Sequence, residues 1–114
     1  MFEGRYPALK NIFAVPNAAK RSVRLASMLR SEGMVSGIPD ILLTWPQYSQ
    51  DQPPCIRYCG LALEMKTKGG KVSDTQKDWL ARLEAASWRT AVCWSSEEAW
   101  AVVCTYLGID VAAP

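Results

Sequence analysis

The chain predicts an α/β fold, a small mixed β-sheet flanked by helices. Short apolar runs of strand type occur at Asp40 to Trp45, Arg57 to Lys66 and Ala91 to Trp94. Apolar residues at helical spacing follow Asn17, Ser73 and Ser95. No helix separates the first two of these strands, which suits an antiparallel pair. A helix does separate the second from the third, which calls for a parallel pair with a right-handed crossover.

Taken in order, residues 1–8 carry Gly4 and Pro7 and no regular pattern, and Leu9 to Val15 reads as a short strand. Pro16-Asn17 then forms a stop and an N-cap, because an asparagine side chain accepts hydrogen bonds from the first free amides of a helix. That helix runs from about Ala18 to Ser31. Leu25, Met28 and Leu29 give it an apolar face and Lys20, Arg21, Arg24 and Arg30 a basic flank, and Gly33 ends it. Residues 46–54 hold three prolines among polar residues and read as a flexible surface connection. Lys68-Gly69-Gly70-Lys71 must turn. Ser73-Asp74-Thr75-Gln76 matches a capping box, and Trp79, Leu80, Leu83 and Ala86 supply the next apolar stripe, with Gln76 on the same side facing the sheet. Ser95 and Glu98 repeat the box ahead of a last helix that ends at Gly108, and residues 109–114 read as a loose tail.

At 114 residues and 49% hydrophobic content the sequence suits a single domain spanning residues 1–114. No apolar run reaches the roughly 18 residues of a membrane span and no secretory signal opens the chain, so a cytoplasmic protein without membrane contact is expected. The formal charge is +2, unevenly spread: +4 over residues 1–39, −2 over 40–65, +3 over 66–77 and −3 over 78–114. A polyanion would be drawn to the basic segments, although a charge run is more often just a solvated surface. Four cysteines without a histidine raise the question of zinc. Cys55 and Cys59 have three residues between them, but Cys93 and Cys104 have ten and fall in a strand and a helix, so buried free thiols are the simpler reading. Most of the five tryptophans are expected in the core.

The chemistry concentrates between Gly37 and Lys66. Leu61, Leu63 and Met65 alternate with Ala62, Glu64 and Lys66, so a strand places Glu64 and Lys66 on one face. Asp40 opens the neighbouring strand. Carboxylates set among apolar residues require partners, which means an ion-pair cluster or a metal site. Oxygen ligands of this kind suit Mg²⁺ or Mn²⁺, and a nearby lysine can hold an attacking water or offset charge growing on phosphorus. The residues alone leave both readings open.

Pro39-Asp40 followed by Glu64-Met65-Lys66 resembles the PD-(D/E)xK nuclease signature. Val15-Pro16-Asn17 with Arg21, Gly37-Ile38-Pro39-Asp40, Gly60 through Lys66, and Ser73 with Gln76 are together similar to the VRR-NUC (virus-type replication-repair nuclease) domain, over about residues 12–107. The resemblance implies a restriction-endonuclease-like core in which Asp40, Glu64 and the Met65 carbonyl ligate Mg²⁺, with Mn²⁺ as a substitute, and Lys66 positions or activates the water. Gln76 would lie beside the site, and its place in the capping box gives it a structural role as well. Arg21, Lys68 and Lys71 are candidates for phosphate contacts. Relatives commonly supply a further glutamate from an N-terminal helix; here only Glu3 stands in that region.

The implied function is a metal-dependent, structure-selective DNA endonuclease of the kind phages and bacteria carry, acting in the cytoplasm of a bacterium or a phage-infected host cell. It would resolve Holliday junctions or other branched DNA as a homodimer, since two symmetric cuts need two sites. The alternatives are a flap or fork nuclease, a DNA-binding module of the same fold without activity, and, from a different class, a cysteine-bound zinc protein.

Overall fold

The computed structural model describes residues 6–16 and 36–110. The expected helix over residues 18–31, with Arg21, and the N-terminal Glu3 lie outside the described residues. Within them the order is a 3-10 turn (Pro7–Asn11), β1 (Ile12–Ala14), β2 (Ile41–Leu43), β3 (Gln47–Tyr48), β4 (Ile56–Tyr58), β5 (Leu61–Met65), α1 (Asp74–Ala85), β6 (Arg89–Cys93) and α2 (Ser96–Leu107). The main sheet has strand order β1-β2-β5-β6, and β3 and β4 form a separate two-stranded sheet. β2 pairs antiparallel with β1 and with β5, whereas β5 and β6 run parallel, so the sheet is mixed as the element order requires. No helix among the described residues is long and apolar enough to cross a membrane.

β5 is central in the sheet and is buried on both faces from Leu61 to Glu64. Leu61 and Leu63 join Leu9, Leu43 and Cys93 and meet Ala99, Val103 and Tyr106 of α2 to form the core. α2 is capped at its start by Ser95, whose hydroxyl accepts from the Glu98 amide at 3.1 Å. At its end Gly108 takes a left-handed conformation with φ of 72°, and the Ile109 amide returns to the Cys104 carbonyl at 2.9 Å. This closure buries Ile109, which the loose-tail expectation had left free, against the helix it follows.

Several expected boundaries shift for identifiable reasons. Leu9 belongs to the 3-10 turn rather than to a strand, because Pro7 at its start favours a helical φ and the Leu9 amide folds back to the Tyr6 carbonyl at 3.0 Å. The run from Arg57 to Lys66 is two strands rather than one. It breaks at Gly60, where a side chain would meet the Trp88 ring at 2.5 Å and the Leu43 carbonyl at 2.8 Å, so Trp88 occupies the space a Cβ would need. Residues 46–54 are not a free connection: β3 and β4 are joined through the Ser49 amide to the Cys55 carbonyl at 2.7 Å, and the Ser49 hydroxyl accepts from the Cys55 amide at 3.0 Å. Gln47 also ties this hairpin to α2 by donating to the Tyr106 carbonyl at 2.8 Å.

Side-chain burial also departs from expectation. In α1 the buried residue is Gln76, while Trp79, Leu80 and Leu83 are half-covered and Ala86 is exposed. None of the five tryptophans is fully buried; Trp45 and Trp94 are exposed and the other three half-buried. Trp88 sits over Gly60, where its large flat ring covers what a residue without a side chain leaves open. All four cysteines are free thiols, but Cys55 and Cys59 are exposed and only Cys93 and Cys104 are in the core. Burial raises both of these thiols, helped by the carboxylates of Glu98 and Asp110 respectively.

Gly60→Ala would force the Trp88 ring or β2 to move, and overpacking of this kind costs about 1–3 kcal/mol. Urea denaturation would measure it, and an unchanged midpoint would refute the packing argument. Tyr106 gives a pH-dependent counterpart. Its buried hydroxyl donates to the Trp45 carbonyl at 2.8 Å and is pushed up to about 12, chiefly by burial and then by the charge of Cys59. An unfolded tyrosine ionises near 10, so its contribution is intact below about pH 10 and is lost as the pH rises toward 12, by roughly 2–3 kcal/mol. Tyr106→Phe should flatten that alkaline fall; equal slopes in the two proteins would contradict the assignment.

Candidate active site

The β2–β5 register brings the charged residues together. Ile41 pairs with Leu63, and one step further along the antiparallel ladder places Asp40 opposite Glu64. Asp40 is fixed at both of its ends. Its carbonyl accepts from the Val15 amide at 2.7 Å and its carboxylate Oδ2 from the Met65 amide at 2.8 Å. The next amide along, that of Lys66, bonds in the other direction to the Cys93 carbonyl of β6 at 2.8 Å. Backbone groups of one strand residue face the same neighbour, which puts the Met65 carbonyl on the Asp40 side.

Glu64 is 0% exposed. A carboxylate at that depth requires hydrogen bonds from its surroundings, and Gln76 supplies one: its Nε2 donates to Glu64 Oε2 at 3.3 Å. The other side of the same amide, Oε1, accepts from Lys66 Nζ at 2.7 Å and from the Ser73 amide at 2.9 Å. Gln76 therefore makes two sets of bonds at once. It completes the capping box, with the Ser73 hydroxyl accepting from its own amide at 3.2 Å, and it bridges the glutamate to the lysine. The period-two argument, which put Glu64 and Lys66 on one face, is met by this shared partner.

Helix α1 is held close to the Asp40 loop by Gly37. This residue has φ of 87°, and a Cβ on it would stand 2.5 Å from Thr75 Cγ2 and 2.9 Å from the Thr75 carbonyl. Only glycine allows the chain entering Asp40 to lie against the first turn of α1. The sequence signal for this contact was the Gly37-Ile38-Pro39-Asp40 string itself, although nothing in it specified Thr75 as the neighbour.

Asp40, Glu64, Met65, Lys66 and Gln76 thus form one constellation, and Lys68 and Lys71 stand exposed on the loop that leads from it to α1. Sequence reasoning had not found the Met65 amide as the anchor of Asp40, or Gln76 as an acceptor for Lys66. The Ser95–Glu98 pair is also arranged differently from a full capping box, since Glu98 Oε2 accepts from the Trp94 amide at 2.7 Å, one residue ahead of the cap. Among the described residues no three of His, Cys, Asp and Glu cluster as metal ligands. Two carboxylates with a carbonyl are nevertheless a donor set of the kind Mg²⁺ takes, because it retains several waters.

The sequence model of the VRR-NUC domain matches residues 8–97, most of the chain. The chain belongs to the VRR-NUC domain family. No curated protein matches it in sequence. A solved VRR_NUC domain protein has the same fold, with a TM-score of 0.68 over 90% of this chain and 71% of that one at 17% identity. The family carries a nuclease-type fold, and in this VRR-NUC domain the segments from Gly37 to Asp40 and from Gly60 to Gln76, which contain the constellation, lie within the matched residues.

The two roles of Gln76 can be separated. Ser73→Ala removes the cap alone and should cost about 1 kcal/mol. Gln76→Ala also strips a donor from a buried carboxylate and should cost at least about 2 kcal/mol. Urea midpoints of the two variants test this, and a Gln76→Ala loss no larger than that of Ser73→Ala would refute the bridge.

Proposed function

We propose that this VRR-NUC domain is a metal-dependent, structure-selective DNA endonuclease that cleaves branched DNA, four-way junctions first, as a homodimer. The observation that carries the reading is the hydrogen-bonded series Glu64–Gln76–Lys66 beside an Asp40 carboxylate anchored on the Met65 amide. Membership of a family with a nuclease-type fold supports it.

Phosphodiester hydrolysis needs a water in line with the bond to be broken, a destination for its proton and compensation for charge growing on phosphorus. Asp40, Glu64 and the Met65 carbonyl would hold Mg²⁺, or Mn²⁺ in its place. When bound, such an ion polarises the phosphate and lowers the pKa of its water. Lys66 is the water-orienting residue in this reading. Its ammonium has three donors, of which one is engaged by Gln76, so the others are available to the nucleophile and to a phosphate oxygen. Gln76 determines where that ammonium sits, because its own amide is fixed by Ser73 and Glu64. Lys68, Lys71 and Arg21 would contact flanking phosphates, which positions the duplex without reading its sequence. Paired cuts across a junction would come from the two sites of a two-fold dimer.

The test is cleavage of a labelled four-way junction and a flap substrate in Mg²⁺, with Lys66→Ala and Asp40→Asn as variants. Native protein should cut the junction, and Lys66→Ala should lower the rate by about 10²–10⁴-fold while still folding. Undiminished cleavage by Lys66→Ala, or no cleavage by native protein in Mg²⁺ or Mn²⁺, would overturn the reading.

A further inference from the structure

At the end of the sheet away from the Asp40–Glu64 centre lies a group of hollows that carries two arginines, and the site above does not use it. Its central cleft, about 510 Å³, lies between the β3–β4 hairpin, the start of β6 and α2, and Arg57, Arg89, Tyr58 and Tyr106 form its walls. It shares Arg57 and Tyr106 with a second hollow that extends to Trp45 and Tyr48, and Arg89 and Tyr58 with a third that reaches Trp88. The three hollows share walls, and taken together they run as a channel from aromatic rings at either end past guanidinium groups in the middle.

The charge in this channel is one-sided. The salt bridge found among the described residues joins Arg82 to Asp78 on α1, and neither Arg57 nor Arg89 has a carboxylate partner. Arg57 lies over the Tyr58 ring at 5.7 Å, and Arg89 is held by its own strand, donating to the Thr90 carbonyl at 3.1 Å. The acid near the channel is Glu84, at the Trp88 end, and its Oε1 is engaged by the Thr90 hydroxyl. Tyr48 is 56% exposed and Trp45 38%, large aromatic surface beside unpaired cations. Cationic grooves with aromatic platforms suit single-stranded nucleic acid, whose phosphates meet the guanidinium groups while its bases stack. A mononucleotide would fill only the central cleft and leave both aromatic ends unused.

We propose that the channel from Trp88 past Arg89, Tyr58 and Arg57 to Trp45 and Tyr48 is a second nucleic-acid site, which holds a single strand away from the Asp40–Glu64 centre. Arg89 pairs with Leu61, whereas Glu64 and Met65 pair with Val92 and Cys93, so the two sites occupy opposite ends of the parallel strands. Three to four residues at about 3.3 Å each separate them by roughly 10–13 Å along the sheet. The central cleft is lined by α2, whereas Glu64 turns toward α1; only the Trp88 end of the channel, lined by Thr90 and by Glu84 of α1, reaches round to the α1 side. The assignment rests on the nuclease reading only in that both sites take nucleic acid; it does not depend on cleavage.

The experiment is fluorescence anisotropy of native protein with a labelled oligothymidylate in EDTA, at several salt concentrations. Arg57→Gln/Arg89→Gln should weaken binding about tenfold or more and reduce the slope of log affinity against log salt by about 1.4, at about 0.7 for each phosphate. Crosslinking with an iodouridine-substituted strand should label peptides covering residues 45–58 and 88–106, which reads out the site in folded native protein without any substitution. Unchanged affinity and slope, or crosslinks confined to residues 64–77, would overturn the proposal. So would a double variant that loses self-association in sedimentation yet still binds the oligonucleotide, which would make the channel a contact between copies of the chain. Binding that depends on both arginines in a protein that cleaves nothing would uphold the channel and end the nuclease reading; cleavage with arginine-independent binding would do the reverse.

Discussion

A fully buried carboxylate at Glu64 is the constraint to which the surrounding structure answers. Placing an ionised group at that depth costs several kcal/mol unless donors surround it, and the sheet alone cannot supply them because the amides of β5 are committed to β2 and β6. The donor comes from Gln76, at the first turn of α1. For that amide to reach, the helix must begin where Ser73 caps it, and the chain before Asp40 must lie flat against Thr75, which the absent side chain of Gly37 permits. The order of elements, the turn at Lys68-Gly69 and the capping chemistry are all consistent with this single requirement.

Much of this was legible in the sequence because it is local. The Ser73-to-Gln76 spacing specifies a capping box whatever lies nearby, the alternation from Leu61 to Lys66 specifies which side chains share a face, and an intervening helix specifies a parallel partner for β5. The candidate site was reachable for the same reason: Asp40, Glu64 and Lys66 stand in short motifs. What sequence reasoning missed is long-range. That Asp40 would anchor on the Met65 amide depends on the β2–β5 register, and that Gln76 would serve a lysine as well as its own cap depends on the docking of α1. The β3–β4 hairpin was hidden because its two pairing segments are short, Gln47–Tyr48 lying between Pro46 and Pro53 and Ile56–Tyr58 just after Pro54. The tryptophans read as core by composition, yet none is fully buried, and Trp88 instead covers Gly60.

The architecture keeps two chemistries apart. Acids and the lysine gather at the carboxyl ends of the parallel strands β5 and β6, the end at which open α/β sheets commonly hold ligands. Arg57 and Arg89, which have no carboxylate partner among the described residues, gather with aromatic rings at the opposite end. Both regions depend on the same two strands for position, and the length of those strands separates them. Small proteins rarely have surface to spare, so a sheet that presents a distinct ligand chemistry at each end makes economical use of few residues.

Because one glutamine serves the cap, the buried acid and the lysine together, the state of α1's first turn acts as a clock for the site. Helix ends open and close far faster than whole domains unfold. Each time this turn frays, Lys66 loses its acceptor and Glu64 its donor in the same instant; each time it rewinds, both are restored together. If the proposed chemistry runs through these residues, the fraction of molecules ready for it is a property of a helix terminus, sensitive to temperature and to mild denaturant before the fold itself gives way.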